Sequence, residues 1–349
     1  MGVQRWPGVS AVSAAGCGVL RGKPFHVAGA DCVLTRRGGR LVAFRDGQPR
    51  ASAPLSMVSE VVLTGPVSVT TAVMHLLLRN GVPLILLSGT GRPLGRMEPP
   101  SAPHIQARTR QLDLHRDPAT RLAVAARIVS GKIHNQGVLL RRRARRSLDP
   151  DAVWTVVNRL AKLEETAGSV TTLPALLGVE GAAAGAYFGV IRGLVVPGHG
   201  FSTRDRAGRD VVNQLLNYCS ALLRETVVSA LLCAGLDPFL SFLHTPARGR
   251  LTLAFDLMEE WRPVLLESTV LALLGLGTAT AADIEDGRLT RPVVAAAINR
   301  FQTRLAAPAR GWPAVAGGVT YGEVVRRQSL RLRAHLLDPA SAYEPFRWR

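Results

Sequence analysis

Acidic residues are scarce in this chain, lysines are scarcer, and its cysteines carry no pairing pattern. Cys17, Cys32, Cys219 and Cys233 form no CxxC spacing, which excludes a disulfide scaffold and a structural zinc site and leaves buried free thiols. Long apolar runs are missing too. The two best stretches are interrupted by Arg192 within 181–198 and by Glu267 within 264–282, so no membrane span is expected. The opening MGVQRWPGVS has no basic segment feeding an apolar one, so a cytoplasmic protein without a secretory signal is expected. No internal repeat is visible.

The shortage of acids is the informative one. Asp and Glu number 25 against 43 Lys and Arg, a formal charge of +18. Only Lys23, Lys132 and Lys162 are lysines. Codon bias explains Arg in place of Lys, but it does not explain the missing acids. An excess of this size calls for a polyanionic partner. Nucleic acid fits better than an anionic membrane, because no basic amphipathic helix carries an aromatic anchor.

The 349 residues suffice for two domains. Residues 1–27 are rich in Gly, Ser and Ala and read as an irregular extension. From Cys32, CVLTR, an RGG turn and RLVAF make a β-hairpin. SEVVLTG is a further strand, TTAVMHLLLRNG a helix ending at Gly81, VPLILLS a buried strand and LGRM one more. Residues 28–98 are therefore a small β domain. GTGRPLG at 89–95 imitates a dinucleotide-binding loop, but MEPPSAP follows where a helix should open, so it reads as a hairpin turn. The proline-rich 99–104 is a linker, and 105–349 is helical, with helices near 105–117, 119–146, 150–167, 173–194, 209–234, 254–276, 291–306 and 320–337. The fold class is α+β: a small N-terminal β-sheet domain followed by a larger all-α domain.

Three places could carry chemistry. In LPALLGVEGAAAGAYFGVIRGL, Leu173, Leu176, Leu177, Ala183, Ala184, Tyr187 and Phe188 recur at helical spacing as a buried stripe, with Glu180 inside it. A carboxylate there is costly unless paired or metal-bound; a Glu reaching water at the stripe's edge is the alternative. GLDPFLSFLH turns at Asp237-Pro238 and delivers His244, which standing alone reads more readily as a structural histidine. AFDLMEEWRP then places Asp256, Glu259 and Glu260 at the start of a helix, where acids also complement the dipole. Together, carboxylates and an imidazole suit Mg²⁺ or Mn²⁺ and phosphodiester chemistry. Arg141, Arg142, Arg143, Arg145 and Arg146 crowd LRRRARRS, a second cluster is Arg326, Arg327, Arg331 and Arg333, and Arg248 and Arg250 follow His244 in a loop. A solvated face is the usual fate of such runs; the overall charge favours phosphate contact.

In order and spacing these segments resemble the CRISPR-associated adaptation integrase/endonuclease family. The likeness runs from about residue 28 to the end, through EVVLTGPVSVTTAVMHLLLRNGVPLILLS, KIHNQ at 132–136, LLGVEGAAAGAYF, NQLLNYCSALL at 213–223, GLDPFLSFLH, LAFDLMEEWRP and YEPFRWR at 343–349. The resemblance implies that Glu180, His244 and Glu259 are the metal ligands, with Asp256 a supporting catalytic acid. It implies that Asn213, Asn217 and Tyr218 line the site and that Arg262 closes the acidic motif. It also implies a homodimer through the β domain, a small companion Cas protein bridging two dimers, and double-stranded DNA, prespacer and CRISPR repeat, as substrate. The entry segment DRAGRDVVNQ departs from the family's proline-containing approach, and residues 1–27 have no counterpart. A branched-DNA nuclease without an integration role and a non-catalytic DNA-binding scaffold are the competing readings.

Overall fold

The computed structural model describes residues 23–88, 93–97, 105–145, 147–195, 198–312, 318–338 and 340–349. The chain forms two compact units, 1–100 and 101–349. The sequence-predicted linker 99–104, the turn of the 89–95 segment and Arg146 lie outside the described residues.

The first unit holds two four-stranded sheets. One has β1 (Lys23–Ala28), β5 (Val58–Thr64) and β7 (Leu84–Leu87) in parallel, with β8 (Pro93–Met97) antiparallel at its edge. Its central strand β5 is buried at nearly every described side chain, as a parallel strand covered on both faces must be. The other sheet has the order β4-β3-β2-β6, from β2 (Cys32–Arg37), β3 (Arg40–Arg45), β4 (Gln48–Pro54) and β6 (Ser68–Val69). Helix α1 (Thr71–Arg79) packs Val73 and Leu77 into the same core. The β2–β3 hairpin stands as expected. The next hairpin turns on Asp46 and Gly47, both at positive φ (53° and 72°), the conformation an Asp-Gly turn favours. One boundary needs correction. β1 begins at Lys23, inside the segment read as irregular, because Phe25 and Val27 are buried against β5.

The second unit is helical: α2 (Ile105–Arg116), α3 (Pro118–Ala144), α4 (Pro150–Ala167), α5 (Leu173–Leu194), α6 (Val211–Cys233), α7 (Thr252–Trp261), α8 (Ser268–Gly275), α9 (Arg291–Ala306) and α10 (Tyr321–Leu337), with a small β9–β10 hairpin at Ile284–Glu285 and Arg288–Leu289. Asp117 caps α3 through Thr120 N (2.9 Å), and α3 buries Val124, Ile128, Ile133 and Leu140 at its centre. The expected continuous helix 254–276 is broken by a π-helical stretch, Arg262–Glu267. Pro263 has no N–H for the α-helical ladder, so the turn widens there.

Helix α5 is less buried than its composition suggests. Leu176, Ala183, Tyr187 and Ile191 face the core, but Leu177 is 43% exposed, a departure from the expected stripe. Helices α5 and α6 are long and apolar enough, by length and composition, to cross a membrane. Half of the α6 window is buried within this unit. Cys32, Cys219 and Cys233 are free and buried.

Candidate active site

Lys132, one of only three lysines, sits at the centre of the site. It lies on the core-facing side of α3, is almost fully buried, and its ammonium meets carboxylates from two other helices. Glu180 of α5 accepts a hydrogen bond from Lys132 Nζ. Glu259 of α7 places Oε2 2.5 Å from the same nitrogen, an ion pair. The other oxygen, Oε1, accepts from Arg262 Nε at 2.8 Å. Burial pulls the Lys132 ammonium down, but Glu259 and Glu180 outweigh it and hold it above its ordinary value. For Glu259, burial raises the pKa, but Arg262 and Lys132 dominate and keep it at about 2. Glu259 is thus an anion at any physiological pH.

Glu180 falls between Leu176 and Ala183 on the buried side of α5, where helical spacing puts it, with its side chain 25% exposed. It is both paired and at the edge of solvent, so the two alternatives open to it in the sequence describe one arrangement.

His244 arrives on a loop that several helices clamp. Gln111 of α2 donates to Asp237 O (2.8 Å) and Leu240 O (2.9 Å), and Arg121 of α3 donates to Phe242 O (3.1 Å). Asp256 then fixes the tip. Its oxygens accept the backbone N–H groups of Phe242 (2.6 Å), Leu243 (2.9 Å) and His244 (3.0 Å), and stand 2.7 Å from His244 Nδ1. That bond raises the His244 pKa and sets Nδ1 as the protonated nitrogen when the ring is neutral, leaving the Nε2 lone pair outward. Asp256, expected as a supporting catalytic acid, makes all four of these contacts and so holds His244 in place. No acid lies in the first turn of α7, so dipole complementation is not the task of this group.

Glu260, adjacent in sequence, points the other way. It accepts from Tyr343 Oη, Phe346 N (2.8 Å) and Gln328 Nε2 (3.2 Å), and burial pushes its pKa up to about 8. With Asn135, which donates to Phe346 O (2.9 Å) and accepts from Trp348 N (2.7 Å), it anchors the segment 343–349.

Asn213 and Asn217 meet the site through Arg204, which sequence reasoning missed. Arg204 donates to Asn213 Oδ1 (3.0 Å) and Asn217 Oδ1 (2.7 Å). Burial lowers its pKa first, and Arg262 lowers it further. Asp210 caps α6 through Asn213 N (2.9 Å) and also accepts from Asn213 Nδ2 (2.7 Å). The segment 205–214, where the sequence departs from the family's approach, begins directly after Arg204. Tyr218 is half-buried against the helical core and makes no hydrogen bond to the cluster among the described residues. Arg141, Arg142, Arg145, Arg248 and Arg250 are exposed, and Arg143 is half-buried.

Among the described residues, no three His, Cys, Asp or Glu side chains already stand in a metal-holding arrangement. The donor set nevertheless fits a hard divalent ion. Two carboxylates already converge on one cation, and Glu259 is among the charges that raise the His244 pKa. Lys132 occupies the cation position, so an ion would enter by displacing its ammonium.

Residues 25–301 match the family profile of CRISPR associated protein Cas1. The chain belongs to that family. It is 34% identical over 323 residues to CRISPR-associated endonuclease Cas1 3 of Thermus thermophilus, covering 91% of this chain and 92% of that one. It is 41% identical over 244 residues to the CRISPR-associated exonuclease Cas4/endonuclease Cas1 fusion of Rhodospirillum rubrum, covering 68% of this chain and 42% of the fusion. Among solved structures, the partial Cas6-RT-Cas1–Cas2 complex superposes with a TM-score of 0.77 at 23% identity, over 94% of this chain and 99% of that one. A casposase bound to its integration product gives 0.71 at 21% identity, over 92% and 97%. These likenesses bear out the fold, a β-sheet N-terminal region followed by a helical one.

Proposed function

We propose that this chain is a metal-dependent DNA endonuclease and integrase that inserts short foreign DNA at a CRISPR repeat. The observation that carries the reading is the convergence of Glu180 and Glu259, from two helices, on one cation position beside an imidazole whose Nε2 Asp256 leaves free. Glu180, Glu259 and His244 would hold Mg²⁺ or Mn²⁺. When bound, such an ion polarises the scissile phosphate and stabilises the charge on the departing 3′-oxygen.

The chain's own groups do the rest. Asp256 keeps His244 in the tautomer that offers Nε2. Arg262 holds Glu259 ionised, and Arg204, steadied by two asparagines, brings a second guanidinium toward the same phosphate. The attacking 3′-hydroxyl of the incoming strand forms the new P–O bond and gives its proton to solvent, while the bond to the target's 3′-oxygen breaks and that oxygen takes up a proton to leave as a hydroxyl. Water in place of that hydroxyl gives strand cleavage.

The solved relatives named above include a complex with Cas2. By that analogy we assign this chain a small companion protein; a homodimer as its working form rests on the family resemblance alone. The test uses a labelled half-integrated DNA with Mn²⁺ or Mg²⁺, wild type against Glu180→Ala, each with and without chelator. Metal-dependent strand transfer by wild type alone is the expected result. Cutting of generic branches without repeat preference would favour the branched-DNA nuclease, and tight binding without turnover, companion present, would favour the scaffold.

A further inference from the structure

Further along α3 lies a second charged place that the proposed chemistry does not use. A cavity of about 450 Å³ is lined by Arg142 and Arg143 of α3, Ser268 and Thr269 of α8, Arg300, Thr303 and Arg304 of α9, and Trp348. Arg142 lies ten residues beyond Lys132, about 15 Å at the α-helical rise, so this cavity is distinct from the carboxylate cluster.

Its charged lining side chains are cationic. Four guanidiniums line it and no Asp or Glu side chain does. The side chains are held in place by aromatic faces and backbone. The Arg142 guanidinium lies 4.0 Å from the Trp348 ring centroid, and that of Arg304 lies 4.6 Å from Tyr321 and 5.0 Å from Trp348. Arg304 also donates to Val264 O at 3.1 Å, and Arg142 to the main-chain oxygen of Arg349. Burial lowers the pKa of Arg142 and of Arg304, and the surrounding arginines, Arg310 among them, lower both further. Cations gathered against one another in this way are stabilised by an anion between them.

We propose that this cavity is a binding site for a phosphomonoester dianion. A phosphodiester carries one negative charge, whereas a terminal phosphate carries about 1.5 to 2 at neutral pH, which suits Arg300 and Arg304 acting together better. Planar guanidiniums match its three oxygens, and Thr303 adds a hydroxyl. Two sources share this chemistry: the 5′-phosphate of a DNA strand, and free phosphate or a mononucleotide. The first source rests on the DNA-processing function proposed above; the second does not.

The test is a binding titration in chelator, with no turnover required. Inorganic phosphate, a 5′-phosphorylated oligonucleotide and its 5′-hydroxyl twin are titrated against wild type, Arg300→Gln and Glu180→Ala. Arg300 is exposed and outside the catalytic cluster, so its substitution spares the fold. Wild type should bind inorganic phosphate, and Arg300→Gln should bind it about tenfold more weakly. Preference for the phosphorylated oligonucleotide, lost in Arg300→Gln, assigns the site to strand ends; phosphate binding without that preference assigns it to free phosphates. Equal phosphate affinity in wild type and Arg300→Gln, or none in either, overturns the proposal. Glu180→Ala should bind phosphate as wild type does, so an inactive wild type that still binds phosphate would sink the catalytic reading and leave this one standing.

Discussion

The two charged places on α3 solve opposite electrostatic problems. Around Lys132, two carboxylates are met by Lys132 and Arg262, and a new cation enters only by exchange. Around Arg142, Arg143, Arg300 and Arg304, four cations line one cavity with no Asp or Glu side chain among the lining residues, and an anion enters against Arg300 and Arg304 with no resident cation to displace. The first arrangement is stable without a ligand and suits a group that must come and go. The second stores repulsion that binding relieves. A chain with 25 acids and 43 basic residues places its acids with care, and among the described residues the core of its helical unit receives five of them, Glu225, Asp256, Glu259, Glu260 and Glu267.

Removing a carboxylate breaks the first arrangement most completely. Glu180→Ala and Glu259→Ala should each reduce metal-dependent strand transfer about a thousandfold, the loss of several kcal/mol of charge stabilisation. DNA affinity in chelator should stay near that of wild type, since neither residue contacts phosphate in the proposed complex. Turnover within tenfold of wild type would remove that residue from the site.

Removing the resident cation sharpens the contrast. Lys132→Ala leaves the nearly buried Glu259 and the part-exposed Glu180 facing each other, at a cost of up to about 3–5 kcal/mol when a buried pair loses one partner. Protonation of one carboxylate would recover part of that. Melting temperature in chelator should therefore fall, and Mn²⁺ should raise it more in the variant than in wild type, because no ammonium has to leave. An identical Mn²⁺ shift in the two proteins would show that Lys132 does not share a position with the ion.

The second arrangement should reveal itself in salt. Arg142→Gln combined with Arg300→Gln should lower the slope of log K against log salt by about 1 to 2 units for a 5′-phosphorylated duplex. Glu180→Ala should leave that slope alone. An unchanged slope in the double variant would take both arginines off the DNA path.

Much of this architecture is legible in the amino-acid sequence. Helix ends fall within a few residues of their expected places because Asp-Pro and Thr caps and glycine stops are local signals. Glu180 and His244 stand out as polar residues where apolar periodicity or a turn delivers them. What stays hidden needs partners distant in sequence. β1 is a strand only because β5 lies beside it, and its own few residues carry no signal of that. Lys132 lies 48 residues from Glu180, and only the folded chain shows that its charge belongs to the two acids. The rarity of lysine in an arginine-rich chain is the available clue, since there are only three to choose from. Arg204 carries no signal of its own, because its importance comes from two asparagines one and two helical turns into α6. Asp256 and Glu260 look alike in sequence, and burial direction alone separates a histidine anchor from a tail anchor.

The segment 343–349 joins the two places, binding Asn135 and Glu260 on one side and setting Trp348 under the arginines on the other. Its outer tether is the smallest lever. Glu164 of α4 pairs with Arg347, which also donates to Ser130 Oγ at 3.0 Å, and Glu164 lies 3.4 Å from His134 Nδ1. Burial raises the Glu164 pKa, but His134 and Arg347 outweigh it and leave it below 4.5. A carboxylate lowered in the folded state gives stability that is complete above its unfolded pKa and is lost as pH falls through the folded value. Glu164→Gln should therefore lower stability by no more than about 1 kcal/mol at pH 7. The gap from wild type should close as pH drops below about 4. Melting temperatures of the two proteins from pH 7 down to the acid transition measure this directly. If tail and cavity are coupled as the packing shows, phosphate affinity should weaken slightly in Glu164→Gln while metal-dependent strand transfer holds. A larger effect on strand transfer than on phosphate binding would mean that the tail serves the carboxylate cluster first.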